Sequence, residues 1–346
     1  MIVGILKEIK PGEKRVSLIP SDCTSLIRNG VKVVVEKGAG AEAGFPDVEY
    51  LSVGVEVLGS AKRVYDQANL LLKVKEPQPS ELPFFRPDHT LFCYLHLGGN
   101  PTLCEQLQKI GLTAYAFETV SVNGTTPCLA PMSAIAGRLA VQIGTRLLHS
   151  VYGGKGTLLG GTSFGTEGSV VVLGAGVAGF ESAKLAFLMG AQVHLLDINQ
   201  NTLAACEQRL PGIITQLSSP KALQELLPTT DLLIGAVYLL GKTAVKVVDQ
   251  RQMSLMPAGS VAVDISIDQG GCFETSRPCT HQEPSYLVGQ VIHSAVTNLP
   301  AAVPRSASIS LSKAIRPYVL ELATGAVSAG LQRGKNLQAG ELLIEL

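Results

Sequence analysis

The stretch Val170–Gly179, VVVLGAGVAG, decides the fold of this chain. An apolar run that predicts a buried strand leads directly into the pattern GxGxxG, and a helical pattern follows. Gly174 allows a tight turn, Gly176 lets the backbone approach a pyrophosphate, and Gly179 lets helix and strand pack closely. The helix N-terminus then offers N–H groups to phosphates. The stretch therefore predicts a dinucleotide-binding βαβ unit.

An acidic residue at the end of the next predicted strand supports this interpretation. Asp197 follows the run Val193–Leu196 and lies eighteen residues after Gly179. A carboxylate at this point accepts hydrogen bonds from ribose hydroxyls and repels a 2′-phosphate, which favours NAD over NADP. The alternative is an ordinary α/β turn with a solvated aspartate.

Short apolar runs alternate with amphipathic stretches on both sides of this unit, as in α/β proteins. The predicted strands are Val31–Glu36, Leu70–Val74, Thr90–Leu95, Thr113–Phe117, Ser169–Leu173, Gln192–Leu196, Ile213–Leu217, Leu232–Val237 and Ser260–Ile265. The predicted helices are Ser21–Asn29, Ala61–Ala68, Pro101–Ile110, a long apolar helix over residues 131–150, and a helical pattern from Pro304 to about Leu331. The tail Glu341–Leu346 is a further candidate strand.

The predicted fold class is therefore α/β, with two doubly wound Rossmann-like domains, a cleft between them and long helices joining them. A length of 346 residues suits two cores better than one. We expect residues 1–128 and 305–346 to form a substrate domain. Residues 129–304 are expected to form the dinucleotide domain.

Composition narrows the classes of partner. The charges of the 28 basic and 28 acidic residues cancel. The chain therefore lacks the basic excess that would predict a nucleic-acid partner. No apolar run is long enough to span a membrane, and Lys7 and Glu8 interrupt any secretory leader. The seven cysteines are scattered without CxxC or zinc-ligand spacing. These features predict a cytoplasmic protein with reduced thiols and no metal site.

Four residues in the first half could bind or convert a small acid. Arg15 could grip a carboxylate through two hydrogen bonds, although a surface arginine is the alternative. Lys73 and Lys75 would share one face of a strand, either as ligands of a substrate or as lysines that extend out of the sheet edge. His96 ends an apolar run and could carry a proton, or could simply be a packed polar residue.

A fifth candidate lies in the second half. Asp268 follows the predicted strand Ser260–Ile265, in a loop whose glycines Gly270 and Gly271 allow close backbone approach. Its carboxylate could hydrogen-bond water, ammonia or the nicotinamide ribose, or it could act only as a turn residue.

A series of segments in a fixed order runs along nearly the whole chain: Lys7–Lys10, Arg15–Val16, Val74–Pro77, Tyr94–Leu97, Tyr115–Thr119, Ala130–Ser133, Ala136–Leu139, Leu232–Val237, Asp268–Glu274 and Asn298–Pro300. In these segments the chain resembles the alanine dehydrogenase family. Many ordered matches are more specific than any single motif. The chain departs from the family pattern at residues 161–166, 238–243 and 308–316.

The resemblance implies reversible oxidative deamination of L-alanine to pyruvate and ammonium with NAD. It implies that Arg15 and Lys75 bind substrate, with Lys75 preferred because it precedes Glu76 and Pro77, and that His96, Asp268 and Lys75 serve catalysis. It also implies a homohexamer. The implied cofactor-binding residues are Ser133, Gly174, Gly176, Val177, Ala178, Gly179, Asp197, Ser219, Val237, Ile265, Asp268, Val296 and Asn298.

Three other functions stay open on the sequence. The chain could be the NAD(H)-binding portion of a proton-translocating transhydrogenase, whose opening is similar at Gly12–Arg15. It could be a dehydrogenase of another amino or imino acid. It could also be an NAD-sensing protein without catalysis, which binding of cofactor without turnover would favour.

Overall fold

The structure, a computed structural model, describes residues 1–237 and 244–345. The chain divides into two compact units, one of Met1–Met132 with Ala301–Leu346 and one of Ser133–Pro300. The substrate and dinucleotide roles that the sequence assigns to residues 1–128 with 305–346 and to 129–304 stay predictions. The family departure at residues 238–243 lies outside the described residues.

The strands are short and apolar. They are β1 (Ile2–Ile5), β2 (Lys32–Glu36), β3 (Glu56–Leu58), β4 (Leu70–Leu72), β5 (Thr90–Cys93), β6 (Thr113–Ala116), β7 (Ser169–Leu173), β8 (Gln192–Asp197), β9 (Ile214–Leu217), β10 (Leu232–Gly235), β11 (Val261–Asp264), β12 (Tyr286–Val288), β13 (Val291–Ser294), β14 (Lys335–Gln338) and β15 (Glu341–Leu342).

Helices connect most of the parallel strands. They are α1 (Pro20–Arg28), α2 (Asp47–Ser52), α3 (Ala61–Gln67), α4 (Pro101–Ile110), α5 (Ala130–Leu147), α6 (Val177–Leu188), α7 (Gln200–Arg209), α8 (Pro220–Leu226), α9 (Gln250–Met253), α10 (Pro304–Thr324) and α11 (Ala329–Gln332). The long helix α5 begins in the first unit and continues into the second.

Each unit contains one mainly parallel sheet. In the first unit the order is β15-β14-β6-β5-β4-β1-β2-β3, with only β14 and β15 antiparallel to their neighbours among the described strands. In the second the order is β12-β13-β11-β10-β7-β8-β9, with β12 antiparallel. Both orders reverse beside the first strand of the unit, between β1 and β4 and between β7 and β10. The predicted α/β class with two doubly wound sheets is therefore confirmed.

The sheet of the second unit is buried on both faces. Val170 and Val172 of β7 pack in one apolar cluster, whereas Val171 and Leu173 pack in another. Successive residues of a strand point to opposite faces, so a strand covered on both sides must be apolar throughout. This requirement explains why the stretch before the glycine turn contains four aliphatic residues in a row.

Several predicted element boundaries differ from the structure. The strand expected to reach Val74 ends at Leu72, and the one expected to reach Leu95 ends at Cys93. The helical pattern expected from Pro304 to Leu331 breaks after Thr324, because Gly325 adopts a left-handed conformation with φ of 81°. The sequence also missed β1, β3, β12, β13 and β14, which are three or four residues long and give little periodic signal.

Candidate functional site

In the first unit, the candidate substrate residues follow the carboxyl ends of neighbouring parallel strands. Arg15 lies in the segment after β1, Lys75 lies after β4, and His96 lies after β5. These strands are adjacent in the order β5-β4-β1, so their carboxyl ends share one edge of the sheet. Ligands of open α/β sheets bind at this edge, next to the point where the strand order reverses.

Arg15 is almost completely buried, with 2% of its surface exposed, so the alternative of a surface arginine is wrong. Its Nε donates to Oε1 of Glu13 at 2.7 Å, and its Nη2 donates to Oε2 of Glu13 at 2.6 Å. Nη1 lies 3.1 Å from Sδ of Met132. Burial opposes the charge of Arg15, but Glu13 outweighs it and raises the pKa of the guanidinium.

The backbone that follows Arg15 is held by helix α10. Oγ of Ser308 accepts a hydrogen bond from the Val16 N–H at 2.9 Å, and Oγ of Ser312 accepts one from the Ile19 N–H at 3.0 Å. Ser312 in turn donates to Asp22 at 2.6 Å. Residues 308–316, where the chain departs from the family pattern, thus supply two buried hydroxyls. These hydroxyls accept hydrogen bonds from backbone N–H groups that lie outside any strand, in the segment that follows Arg15.

The two lysines after β4 have different surroundings. Because β4 ends at Leu72, neither lysine lies on the strand, and the expectation that both share a strand face is wrong. Lys73 is fully buried, and its Nζ lies 2.8 Å from Glu81 and 3.3 Å from Glu8. It therefore does not extend into solvent. Burial disfavours its charge, but Glu8 and Glu81 raise the pKa of Lys73 well above its usual value.

Lys75 is only partly buried. Its backbone N–H donates to Oε1 of Glu8 at 3.4 Å, and that oxygen also accepts the Val74 N–H at 2.5 Å. Burial raises the pKa of Glu8, while Lys73 acts in the opposite direction. Glu8 thus connects the buried charge of Lys73 to the backbone that carries Lys75. The sequence interpretation gave Glu8, Glu13 and Glu81 no role in the site.

His96 is not a packed polar residue, because 48% of its side chain is exposed. Its ring stacks on Tyr94, with centroids 5.9 Å apart and planes 5° apart. The hydroxyl of Tyr94 donates to the carbonyl of Cys128 at 2.7 Å, which fixes the ring beneath His96. His96 therefore lies at the sheet edge, with one face of its ring stacked on Tyr94 and about half of its side chain exposed.

In the second unit, the glycine turn has the steric properties that the motif predicts. Gly174 has φ of 96°, and a Cβ there would lie 2.5 Å from the carbonyl oxygen of Ala236. A Cβ on Gly179 would lie 1.7 Å from the carbonyl oxygen of Gly174. A Cβ on Gly176 would meet nothing within 4 Å. The space above Gly176 is what a closely approaching pyrophosphate requires, and the exposed Val177 and half-buried Ala178 begin α6 beside it.

Asp197 connects the glycine turn to the end of β8. Its Oδ2 accepts the Ala175 N–H at 2.6 Å, and its Oδ1 accepts the Asn199 N–H at 2.9 Å. A carboxylate oxygen can accept more than one hydrogen bond, so both oxygens retain capacity for a ribose hydroxyl. The structure places Asp197 directly beside the turn, as the sequence requires for that role.

Most other predicted cofactor residues also follow strand ends of this sheet. Ser219 lies after β9, Val237 after β10, Ile265 and Asp268 after β11, and Val296 and Asn298 after β13. Ser133 instead lies on α5, which packs on the start of α6: a Cβ on Gly137 would lie 2.1 Å from the carbonyl oxygen of Ala178. Ser219 caps α8 by accepting the Ala222 N–H at 3.1 Å, and Val296 is buried, so both also serve the fold.

Asp268 lies in a short 3-10 helix, Ile265–Gln269, rather than in the open loop that the sequence suggested. Its carboxylate is exposed and accepts the Asn298 N–H at 3.2 Å. Asn298 adopts a left-handed conformation with φ of 54°. Asp268 thus links the ends of β11 and β13.

Two residues that the sequence interpretation left without a role hold the segment around Asp268. Asp264, which is buried, accepts N–H groups of Ser266 and Cys272 at 2.9 and 2.8 Å. Lys246 donates to the carbonyls of Gly270 and Gly271 at 2.6 and 2.8 Å. These contacts fasten both sides of the segment that carries Asp268.

Within residues 1–237 and 244–345, no cluster of three or more His, Cys, Asp or Glu side chains is placed to bind a metal ion. In the same residues, no helix combines the length and the apolar character needed to cross a bilayer.

Comparison with known proteins identifies the family. The family model for the alanine dehydrogenase/PNT N-terminal domain matches residues 4–136, and that for the C-terminal domain matches residues 140–345. The chain belongs to the alanine dehydrogenase/PNT family.

Relatives within this family cover the full chain. An alanine dehydrogenase of Mycolicibacterium smegmatis is 42% identical over 353 residues, which cover 100% of this chain and 95% of that protein. A solved L-alanine dehydrogenase superposes with a TM-score of 0.94 at 42% identity, covering 99% of this chain and 97% of the other. A transhydrogenase of Sinorhizobium meliloti superposes with a TM-score of 0.84 at 25% identity, covering 99% of each chain. The chain is thus more similar to these alanine dehydrogenases than to this transhydrogenase, in both sequence and structure.

Two of the three glycines of the turn, Gly176 and Gly179, provide a matched pair of substitutions. We expect Gly176→Ala to leave the thermal midpoint unchanged, because its Cβ meets no protein atom, but to weaken NADH binding about tenfold or more by obstructing the pyrophosphate. Gly179→Ala should lower the thermal midpoint, because its Cβ collides with the Gly174 carbonyl. Differential scanning fluorimetry and NADH fluorescence titration measure the two effects. Normal NADH affinity in a folded Gly176→Ala protein would contradict the proposed approach.

Proposed function

We propose that this protein catalyses the reversible oxidative deamination of L-alanine to pyruvate and ammonium with NAD. The observation that carries the proposal is the full-length similarity to alanine dehydrogenases. The residues that follow the strand ends also suit the binding of cofactor, the binding of substrate and the transfer of protons. The balanced reaction takes L-alanine, NAD⁺ and water to pyruvate, ammonium, NADH and a proton.

The residues of the second unit fit NAD. The open space over Gly176 admits a pyrophosphate, the start of α6 directs N–H groups toward it, and Asp197 offers oxygens to the ribose. When bound, NAD accepts a hydride from the Cα of the substrate. The carboxylate of Asp197 favours NAD over NADP, because it would repel a 2′-phosphate.

The residues of the first unit suit a small oxo acid. We propose that the guanidinium of Arg15, which Glu13 holds through hydrogen bonds to Nε and Nη2, binds the substrate carboxylate. The ammonium of Lys75 binds the carboxylate and polarises the carbonyl. Two cations at one sheet edge select an anionic substrate, and the buried partners of Arg15 keep its guanidinium in one orientation.

Proton transfer is assigned to His96 and Asp268. The imidazole of His96 takes the hydroxyl proton of the carbinolamine as the C–N bond breaks, so that the carbonyl of pyruvate forms and ammonia leaves to become ammonium in solvent; His96 returns the proton in the reverse direction. Asp268 orients the amine or the attacking water through its exposed carboxylate. Both residues follow strand ends, where the chain leaves the sheet and the side chains are accessible.

The catalytic assignment has a direct test. Purified protein should reduce NAD with L-alanine at alkaline pH, prefer NAD to NADP, and oxidise NADH with pyruvate plus ammonium. We expect His96→Ala and Lys75→Ala to lower kcat/KM about 100-fold or more, since acid–base catalysis and charge stabilisation contribute on this scale. NADH affinity should stay near the wild-type value. Absorbance at the nicotinamide band follows turnover.

Lys62→Ala is the matched control, because Lys62 pairs with Asp66 on the exposed face of α3. It should retain full activity. Near-normal turnover in either the His96 or the Lys75 variant would overturn the roles. Turnover of a different amino acid by the wild-type protein would favour a dehydrogenase of another amino or imino acid. NADH binding with no turnover of any amino acid would favour an NAD-sensing protein without catalysis.

We also propose that the protein is a cytoplasmic homohexamer. The described cysteines are all free thiols and are mostly buried, as is usual for proteins of a reducing compartment. Exposed apolar side chains on the second unit, Val151, Leu158 and Phe164, support self-association. Phe164 lies in residues 161–166, where the chain departs from the family pattern. It is part of a tight turn closed by a β-bridge between Thr162 and Gly165.

Light scattering tests the assembly. A hexamer should have about six times the chain mass of 36.4 kDa, and Phe164→Ser should shift the distribution toward smaller species, because it removes an exposed apolar side chain from the proposed contact surface. A stable monomer at micromolar concentration would contradict the proposed assembly.

A further inference from the structure

Glu118 is a buried carboxylate at the sheet edge that the proposed reaction does not use. It lies two residues after β6, which pairs with β5, and its exposed fraction is 6%. A buried carboxylate is retained only where hydrogen bonds or opposite charges compensate the loss of water. The partners of Glu118 therefore indicate what it does.

Two of these partners are backbone N–H groups beside the proposed proton carrier. Oε1 of Glu118 accepts the His96 N–H at 2.6 Å and the Leu95 N–H at 3.1 Å, and Oε2 lies 3.3 Å from the same Leu95 nitrogen. The carboxylate thus binds the chain where it leaves β5. Charge-assisted bonds of this kind are stronger than those between neutral groups.

His96 has a backbone conformation that needs such support. Its φ of 48° lies in the left-handed region, which residues with a side chain rarely adopt. Non-glycine residues in this region persist when surrounding contacts hold them, and they cluster at functional sites. Glu118 provides those contacts directly at the His96 N–H.

The same carboxylate also faces the imidazole ring. Nδ1 of His96 lies 3.7 Å from Oε1 of Glu118, too far for a hydrogen bond but close enough for electrostatic attraction to a protonated ring. Tyr94 supports one face of the ring, and Phe117 packs edge-on against Tyr94 with centroids 5.0 Å apart. The ring is therefore held by stacking, and its proton-bearing form gains a buried negative neighbour.

We propose that Glu118 is the positioning residue of His96: it holds the histidine backbone in the left-handed conformation and stabilises the imidazolium that forms when His96 takes a proton. This inference rests on the proposed function for its catalytic consequence. Glu118 does not touch substrate in this account and acts only through His96.

Three variants separate positioning from general stability. Glu118→Gln keeps an oxygen that can accept the two N–H groups but removes the charge. Glu118→Ala removes both. Thr119→Ala is the matched control, since Thr119 is the next residue, and its hydroxyl contacts Asn336 at 2.8 Å rather than His96.

For Glu118→Gln we expect a thermal midpoint close to wild type and a kcat for L-alanine oxidation lowered about tenfold or more. The KM for L-alanine and the NADH affinity should stay close to wild type, because the proposed substrate cations and the glycine turn are unchanged. Glu118→Ala should lose more kcat and also melt earlier. Thr119→Ala should keep the wild-type kcat. A wild-type kcat in Glu118→Gln would overturn the proposal.

A second measurement does not depend on turnover. Diethyl pyrocarbonate modifies neutral imidazole, and peptide mass spectrometry can follow the peptide that contains the half-exposed His96. The rate for His96 should rise in Glu118→Gln and stay unchanged in Thr119→Ala, because the substitution removes the negative charge that lies 3.7 Å from Nδ1 of the ring. An unchanged rate in Glu118→Gln would overturn the proposal even if the wild-type protein failed to oxidise L-alanine. Failure of alanine oxidation alone would overturn only the proposed function.

Discussion

Parallel strands present all their carboxyl ends at one edge of a sheet, and this constraint organises the chemistry of both units. In the first sheet it gathers the segments after β1, β4, β5 and β6, and in the second it gathers those after β7, β8, β10, β11 and β13. Residues far apart in sequence, such as Arg15 and His96, therefore follow strands that both pair with β4. The strand cores can stay fully apolar, because polar chemistry is confined to the segments beyond them.

The edge of the first sheet carries many buried charges, and each is compensated locally. Lys73 lies between Glu8 and Glu81, Arg15 is paired through two hydrogen bonds with Glu13, and Glu118 accepts backbone N–H groups. Unpaired buried charges would be strongly destabilising, so these partners are required for the cations to remain charged in place. Preorganised charges need little rearrangement when an anionic substrate arrives.

The sequence predicted where the glycine turn and Asp197 lie in the fold, because the requirements there are local. A strand end, three glycines and an acidic residue at a fixed spacing define the geometry without distant contacts. The doubly wound class followed from the alternation of short apolar runs with amphipathic stretches along the chain. Short strands such as β3 and β12 were missed because three residues carry almost no periodic signal.

The carboxylates of the first unit could not be predicted in the same way. Glu8, Glu81 and Glu118 reach their partners from other strands or turns, and nothing in their local pattern distinguishes them from solvated acids. For the same reason the sequence could not tell that Lys73 is buried in an ion cluster while Lys75 is only partly buried. That distinction depends on where β4 ends, which is a tertiary property.

Isotope transfer tests most directly the proposal that this protein oxidises L-alanine by direct hydride transfer to NAD. L-Alanine deuterated at Cα is incubated with the protein and NAD, and NADH and pyruvate are quantified by NMR. Direct hydride transfer predicts one deuterium at C4 of NADH for each pyruvate formed. NADH without deuterium, or pyruvate formed without NADH, would contradict the account.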